Sequence, residues 1–277
     1  MWEPNSDLNK YGTPMVLMTI PLFTDHSSME GLYFDSSITT PFHFIAVSGL
    51  ADRPSNPVGG LSYINNDFEK GVEYLYDLGI DYYITYTESI TDKAMNNKDL
   101  TLLFVSDPFS VFKIETSKIE LVDQRIEIFP RISFYERTSS SIFRDTRYQN
   151  FFEKAYNNFR NLDEYRVIEL PSGVNLKSSN YDDLQISDLI ISSDEIKFTT
   201  NKPNELHMIK VSYFPNWKID KGLGPYRISP SFMAIVPHQS NVLLSFERTN
   251  IETYAFYFGL FSLFLSLILF WRVKENV

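Results

Sequence analysis

Tyr254–Trp271, YAFYFGLFSLFLSLILFW, is an 18-residue run without a charged side chain or a proline. As a helix rising 1.5 Å per residue it reaches roughly 27 Å, close to the hydrocarbon thickness of a bilayer. Leu, Ile and Phe dominate it, and each favours insertion by about 0.3–0.6 kcal/mol near the helix centre. Arg248 and Glu252 stand before the run and Arg272, Lys274 and Glu275 after it. Tyr254, Tyr257 and Trp271 sit where interfacial aromatics belong, with Arg272 and Lys274 as basic anchors beyond them. A core helix seldom runs this far without a polar face. The expectation is a single span over 254–271, a short tail over 272–277, and a lipid bilayer as partner. The two basic residues of the tail point to a cytoplasmic C-terminus and an extracytoplasmic body in a single-pass protein of the cell membrane.

Working back from that run, residues 1–253 carry enough apolar content to fold. The chain is 43% hydrophobic, with 23 Phe and 17 Tyr against 11 Gly and 14 Pro, which indicates packed cores rather than disorder. Its net charge of −10 disfavours nucleic acid as a partner. With no cysteine, the chain has neither a disulfide framework nor a thiolate metal site, and a thiol nucleophile is impossible. Met1–Lys10 is polar, and Pro14 and Pro21 break the early apolar run Met15–Phe23, so no export signal is expected. That conflicts with an extracytoplasmic body. Two readings stay open: a tail-anchored chain, or the end of a longer polytopic protein whose earlier helices carry this region across.

Along the chain the fold class reads as α+β: a small mixed α/β unit over 1–117, a connecting segment with one helix over 118–180, and an antiparallel β-sandwich over 181–250. Asp67 can cap a helix whose apolar positions Phe68, Val72, Leu75 and Leu78 share one face, and Gly79 stops it. Ile80, Tyr82, Ile84 and Tyr86 then alternate with Asp81, Tyr83 and Thr85, the period of a strand with two unequal faces. Thr101–Val105 and Ser110–Ile114 read as strands split by the Asp107-Pro108 turn. Lys118–Ile128 is strand-like, and Tyr148–Asn161 carries a broad apolar stripe that predicts a helix. Pro171–Asp183, PSGVNLKSSNYDD, is turn-rich and reads as a boundary. Beyond it Leu189–Ile191, Glu195–Thr200, Leu206–Tyr213, Tyr226–Ile228, Phe232–Val236 and Val242–Phe246 are short strands between turn-forming segments.

Signatures of chemistry are sparse. His26, His43, His207 and His238 show no metal-ligand spacing, so neither a metal nor a cofactor is expected. The sequence contains no nucleophile elbow, no dinucleotide fingerprint and no P-loop. Two segments combine hydroxyls, amides and rings as recognition of a sugar or lipid headgroup does. In Ser28–Phe44, SMEGLYFDSSITTPFHF, the candidates are Tyr33, Ser36, Ser37, Thr39 and Thr40; the same pattern also describes a loop pinned into a core. In Val211–Ile219, VSYFPNWKI, Pro215-Asn216 bends the chain between Tyr213 and Trp217; Tyr213, Asn216 and Trp217 are the candidates, and core packing is the competing reading for the rings.

These segments also carry a family resemblance. SMEGLYFDSSITTPFHF, GVEYLYDLGIDYYITYT (71–87), HMIKVSYFPNWKI (207–219) and GPYRISPSFMAIVP (224–237), leading into a terminal apolar helix, resemble the C-terminal extracytoplasmic region of prokaryotic polytopic membrane proteins of the GT-C glycosyltransferase-like type. That type includes the YfhO-like group and proteins labelled as 6-pyruvoyl-tetrahydropterin synthase-related membrane proteins, a label that implies no pterin chemistry here. The resemblance spans about Gly12 to Trp271 and implies that the single span corresponds to the family's last helix. It implies export by earlier helices, which accommodates the missing signal, and it describes this chain as a separately encoded or truncated C-terminal piece. No catalytic residue carries over, because the family's catalytic loop has no counterpart here. The implied function is a membrane-tethered accessory region that contacts a glycan or a polyprenyl-linked sugar without catalysis of its own. The alternative is a structural module that packs on the helices of a polytopic partner.

Overall fold

The computed structural model describes residues 1–29, 39–131, 154–179 and 183–275, the last of these without the side chains of 269, 270 and 272–275. Among the described residues, the helices before the β-rich body include α1 (Ile20–Phe23), α2 (Thr40–Leu50), α3 (Phe68–Asp77) and α4 (Glu88–Asn96). The Asp67 carboxylate accepts the Lys70 amide hydrogen at 3.2 Å and so caps α3. Gly79, at φ +66°, lets the chain leave that helix. Within α2 every residue except Pro41 is buried, which its apolar sequence allows. Gly49 and Gly71 bring α2 against α3: a Cβ at Gly49 would stand 2.5 Å from the Asp67 carbonyl oxygen, and one at Gly71 would stand 2.8 Å from Leu50 Cγ.

Three strands complete this first unit: β1 (Tyr82–Thr85), β2 (Thr101–Ser106) and β3 (Phe109–Lys113), in the order β1-β3-β2. The two faces of β1 are unequal, as the alternation of Ile80, Tyr82, Ile84 and Tyr86 with Asp81, Tyr83 and Thr85 predicts. Tyr83 and Thr85 are buried, while Tyr82 and Ile84 are only half-covered. Tyr83 is accepted inside because its hydroxyl donates to the Leu50 carbonyl, which leaves no unsatisfied polar tip. The free edge of β1 is occupied by Trp2, which bridges Ile84 in parallel.

The β-rich body contains two sheets. One joins β4 (Ile119–Leu121), β5 (Arg125–Pro130), β6 (Tyr165–Leu170), β9 (His207–Ser212), β11 (Gly222–Ile228) and β12 (Phe232–Pro237), in the order β4-β9-β12-β11-β6-β5. The other joins β7 (Ile186–Ile191), β8 (Glu195–Thr200), β10 (Trp217–Ile219) and β13 (Asn241–Phe246), in the order β10-β13-β8-β7. All of their pairings are antiparallel except β5 with β6, which run parallel. A parallel pair needs a crossover, and helical residues 154–158 lie on it. The expected helix over Tyr148–Asn161 is described only for that C-terminal part; residues 148–153 lie outside the described residues.

Segments 118–180 and 181–250 therefore meet in one sheet, since β4 pairs with β9 and β6 with β11, both drawn from beyond Pro171–Asp183, and β5 joins through β6. The six-stranded sheet is covered on both faces. Met208 and Ala234 point toward Phe42, Tyr74 and Phe159 of the helical layer, while Ile209, Met233 and Ile235 point toward Ile196, Phe198, Val242 and Leu244 of the smaller sheet. Double coverage explains why β12, FMAIVP, is apolar almost throughout instead of alternating. Charged groups seal the helical layer to the sheet. The Lys210 ammonium donates to the Tyr76 carbonyl at 2.8 Å and pairs with Glu120 at 2.6 Å, placing a cation at the C-terminal end of α3.

From the smaller sheet the chain enters α5 (Asn250–Glu275), within which Asn250–Ile268 is long and apolar enough to cross a membrane and has none of its length buried in the protein. Mixed α and β elements, a sandwich-like body and one C-terminal apolar helix are the architecture expected from the sequence.

Candidate functional site at the sandwich-helix junction

The two segments singled out for recognition fare differently. Tyr33, Ser36 and Ser37 lie outside the described residues. Thr39 and Thr40 are buried at the N-terminal end of α2. Tyr213 and Trp217 are each 5% exposed and belong to the core between the two sheets. With their rings enclosed, neither offers a face for stacking on a sugar, and of the two readings of these rings core packing is the one that holds. The cause is register: Trp217 opens β10 directly opposite Phe246 of β13, and the ring centroids stand 5.3 Å apart, edge to face. Tyr213 is covered on one side by the Arg227 guanidinium, 5.1 Å from its ring centre.

Asn216 has a different role. Its side-chain amide nitrogen donates to the Glu247 carbonyl at 3.0 Å and to the Glu252 carboxylate at 2.9 Å, and its backbone carbonyl accepts the Glu247 amide at 2.9 Å. Glu252 also accepts from the Thr249 amide at 2.6 Å and the Thr249 hydroxyl at 2.8 Å. In return the Glu252 amide donates to Thr249 Oγ1 at 3.2 Å. This reciprocal pair is a capping box, and it satisfies donors that the first turn of α5 would otherwise leave open. The 214–217 turn and the start of α5 are thus tied together by side-chain bonds. Nothing in the two-residue periodicity announced this contact, although Thr249-x-x-Glu252 before an apolar run is the sequence signature of such a cap.

Aromatic rings crowd the same end of the sandwich. Phe214 is 47% exposed and Phe246 is 41% exposed, with ring centroids 6.4 Å apart. The Arg248 guanidinium lies 5.0 Å from the Phe256 ring centre, reaching along α5. Farther on, Tyr254, Tyr257 and Trp271 are exposed as anchor residues require, and the side chains of Arg272 and Lys274 lie outside those described. The Ser262 and Ser266 hydroxyls donate to carbonyls four residues back, so neither faces outward with an open donor.

Elsewhere the buried ionisable groups are structural. Burial pushes the carboxyl of Asp77, at the end of α3, up to about 6 despite the nearby Arg166 and Lys210. Burial likewise holds His43 down at about 3 and keeps it neutral within α2. His207 is buried in β9, with Nε2 2.8 Å from Thr200 Oγ1 and Nδ1 2.9 Å from the Glu205 carbonyl, so its ring serves strand packing. Among the described residues no cluster of three or more His, Asp or Glu is arranged to hold a metal ion. An open groove between β4 and β7 is lined by Ser117, Glu120, Asp123, Leu184 and Ile186, and the Glu120 carboxylate there is taken up by Lys210.

The fold and the junction together define an α+β protein with a β-rich body fastened to one solvent-exposed apolar helix. Comparison with known proteins finds no matching family model, no matching curated protein and no matching solved structure.

Proposed function

We propose that this chain is a membrane-tethered, non-catalytic module whose body stands on the extracytoplasmic side and packs on the membrane helices of a polytopic partner. In this reading the partner is a GT-C-like envelope glycosyltransferase system, as the resemblance implies. The observation that carries the proposal is α5: a 19-residue apolar stretch, unburied along its whole length, joined to a folded body through a capped junction. An apolar helix exposed on every side is costly in water and favourable in hydrocarbon. The edge strand β2 supports the partner side of the reading, because Leu103, Phe104 and Val105 face solvent there in a contiguous stretch.

The absence of cysteine makes the test clean. Gln239→Cys, in the turn between β12 and β13, and Lys274→Cys, beyond the apolar run, give single labelling sites on opposite sides of that run. A membrane-impermeant maleimide applied to intact cells is expected to label Q239C at once and K274C only after permeabilisation. The opposite pattern contradicts the extracytoplasmic body. Turnover of a polyprenyl-linked sugar by the purified chain alone contradicts the non-catalytic role.

A further inference from the structure

We propose that the end of the sandwich beside α5 is a lipid-facing foot, in which Phe214 and Phe246 lie in the headgroup layer of the bilayer that α5 crosses. The proposal rests on reading α5 as a span. Its argument is one of depth. From Tyr254 to Trp271 the helix rises roughly 27 Å, so a hydrocarbon layer about 30 Å thick begins within about one turn of Glu252. The headgroup layer occupies roughly another 5–8 Å outside that boundary. Because the Asn216 side chain touches the Glu252 carboxylate at 2.9 Å, the 214–217 turn is carried into this layer.

What the turn presents there is apolar and held in place. Phe246 is pinned edge-on against the buried Trp217, and Phe214 packs against Phe246. Two half-exposed phenyl rings at the base of a span gain by entering the boundary between headgroups and acyl chains. The surrounding charges are mixed: Lys218 and Arg248 stand with Asp220, Glu247 and Glu252, all of them on the surface, with the Glu252 carboxylate held by Thr249 and Asn216. With both signs present the contact needs no anionic lipid, and neutral phosphatidylcholine is sufficient. The Arg248 side chain, lying along the Phe256 ring, can keep its charge among the headgroups while its stem covers apolar surface.

The test uses the full chain in phosphatidylcholine vesicles with an environment-sensitive fluorophore on one introduced cysteine at a time: Phe214→Cys, Phe246→Cys, Leu260→Cys inside α5, and Gln239→Cys at the far turn. Quenching is measured with nitroxide lipids labelled either near the headgroup or near the chain end. The F214C and F246C probes are expected to be quenched more by the shallow lipid than by the deep one, by at least about twofold over Q239C, as an interfacial depth requires. L260C is expected to be quenched best by the deep lipid. If L260C is quenched while both F214C and F246C behave like Q239C, the foot is overturned and the span reading stands. If L260C is not quenched, the span reading falls and the foot with it. Unfolding midpoints of the labelled variants, compared with the unlabelled chain, establish that each probe reports on the folded protein.

Discussion

Two glutamates do similar chemistry at opposite ends of the molecule and differ in what surrounds them. Glu3 is 1% exposed, and its carboxylate accepts the Tyr86 amide at 2.8 Å, the Thr87 amide at 2.9 Å and the Thr87 hydroxyl at 2.7 Å. It thereby holds, from a distant part of the chain, the backbone that leads into α4, whose N-cap residue Thr87 makes no side-chain cap bond of its own. Glu252 accepts a comparable set of bonds from Thr249 and Asn216 at the surface. Where water is excluded, loss of the acceptor strands buried donors; where water is present, it replaces the acceptor. The N-terminal carboxylate is therefore part of what holds the body together, whereas the C-terminal one orients a helix on a body that is already stable.

The largest effect is expected at the core residue nearest the junction. Trp217→Ala removes an enclosed ring from between the sheets and is expected to cost about 3–5 kcal/mol in urea unfolding of the detergent-solubilised chain. A cost below about 1 kcal/mol would mean that the ring is not enclosed. Glu3→Ala is expected to cost about 2–3 kcal/mol, because the partly buried Tyr86 and Thr87 amides lose the acceptor they share. Glu252→Ala, its counterpart, is expected to leave the unfolding midpoint of the body unchanged while broadening the angular distribution between body and helix measured by spin-label distances. Equal destabilisation by the two glutamate variants breaks the comparison.

A pair of glycines sharpens the contrast. Gly49→Ala forces a methyl group onto the Asp67 carbonyl and is expected to cost about 1–3 kcal/mol by overpacking. Gly259 in α5 has open space around its Cβ position, so Gly259→Ala is expected to cost nothing in the same assay. A further effect depends on pH. The Asp77 carboxyl is raised from 3.8 to about 6, so between these values the folded state keeps a proton that the unfolded chain releases. Its contribution favours folding at low pH and is lost as pH rises through 6. Asp77→Asn is expected to raise the melting temperature at pH 7.5 and to have little effect at pH 4. A variant that melts lower at pH 7.5 contradicts the buried, unfavourably ionised carboxylate.

Local features were legible in the sequence where local rules decide them. Asp67 and Gly79 bracket α3, β8 and β13 follow their two-residue period, and α5 is visible from composition alone. What periodicity does not carry is the identity of a distant partner. The face buried by β1 depended on Trp2 and Leu50, and the union of β4, β5 and β6 with β9, β11 and β12 depended on pairings across the turn-rich 171–183 segment. In the candidate recognition segment the same limit applied. A tryptophan after Pro-Asn looks presented in one dimension, but pairing with Phe246 takes it inside and leaves Asn216 to make the contact with Glu252 at the start of α5.

The account turns on whether α5 lies in hydrocarbon. Membranes containing the full chain, washed with alkaline carbonate and sedimented, test this directly. The chain is expected in the pellet, released only by detergent. Recovery of the chain in the carbonate supernatant, folded and monodisperse without detergent, would contradict the account.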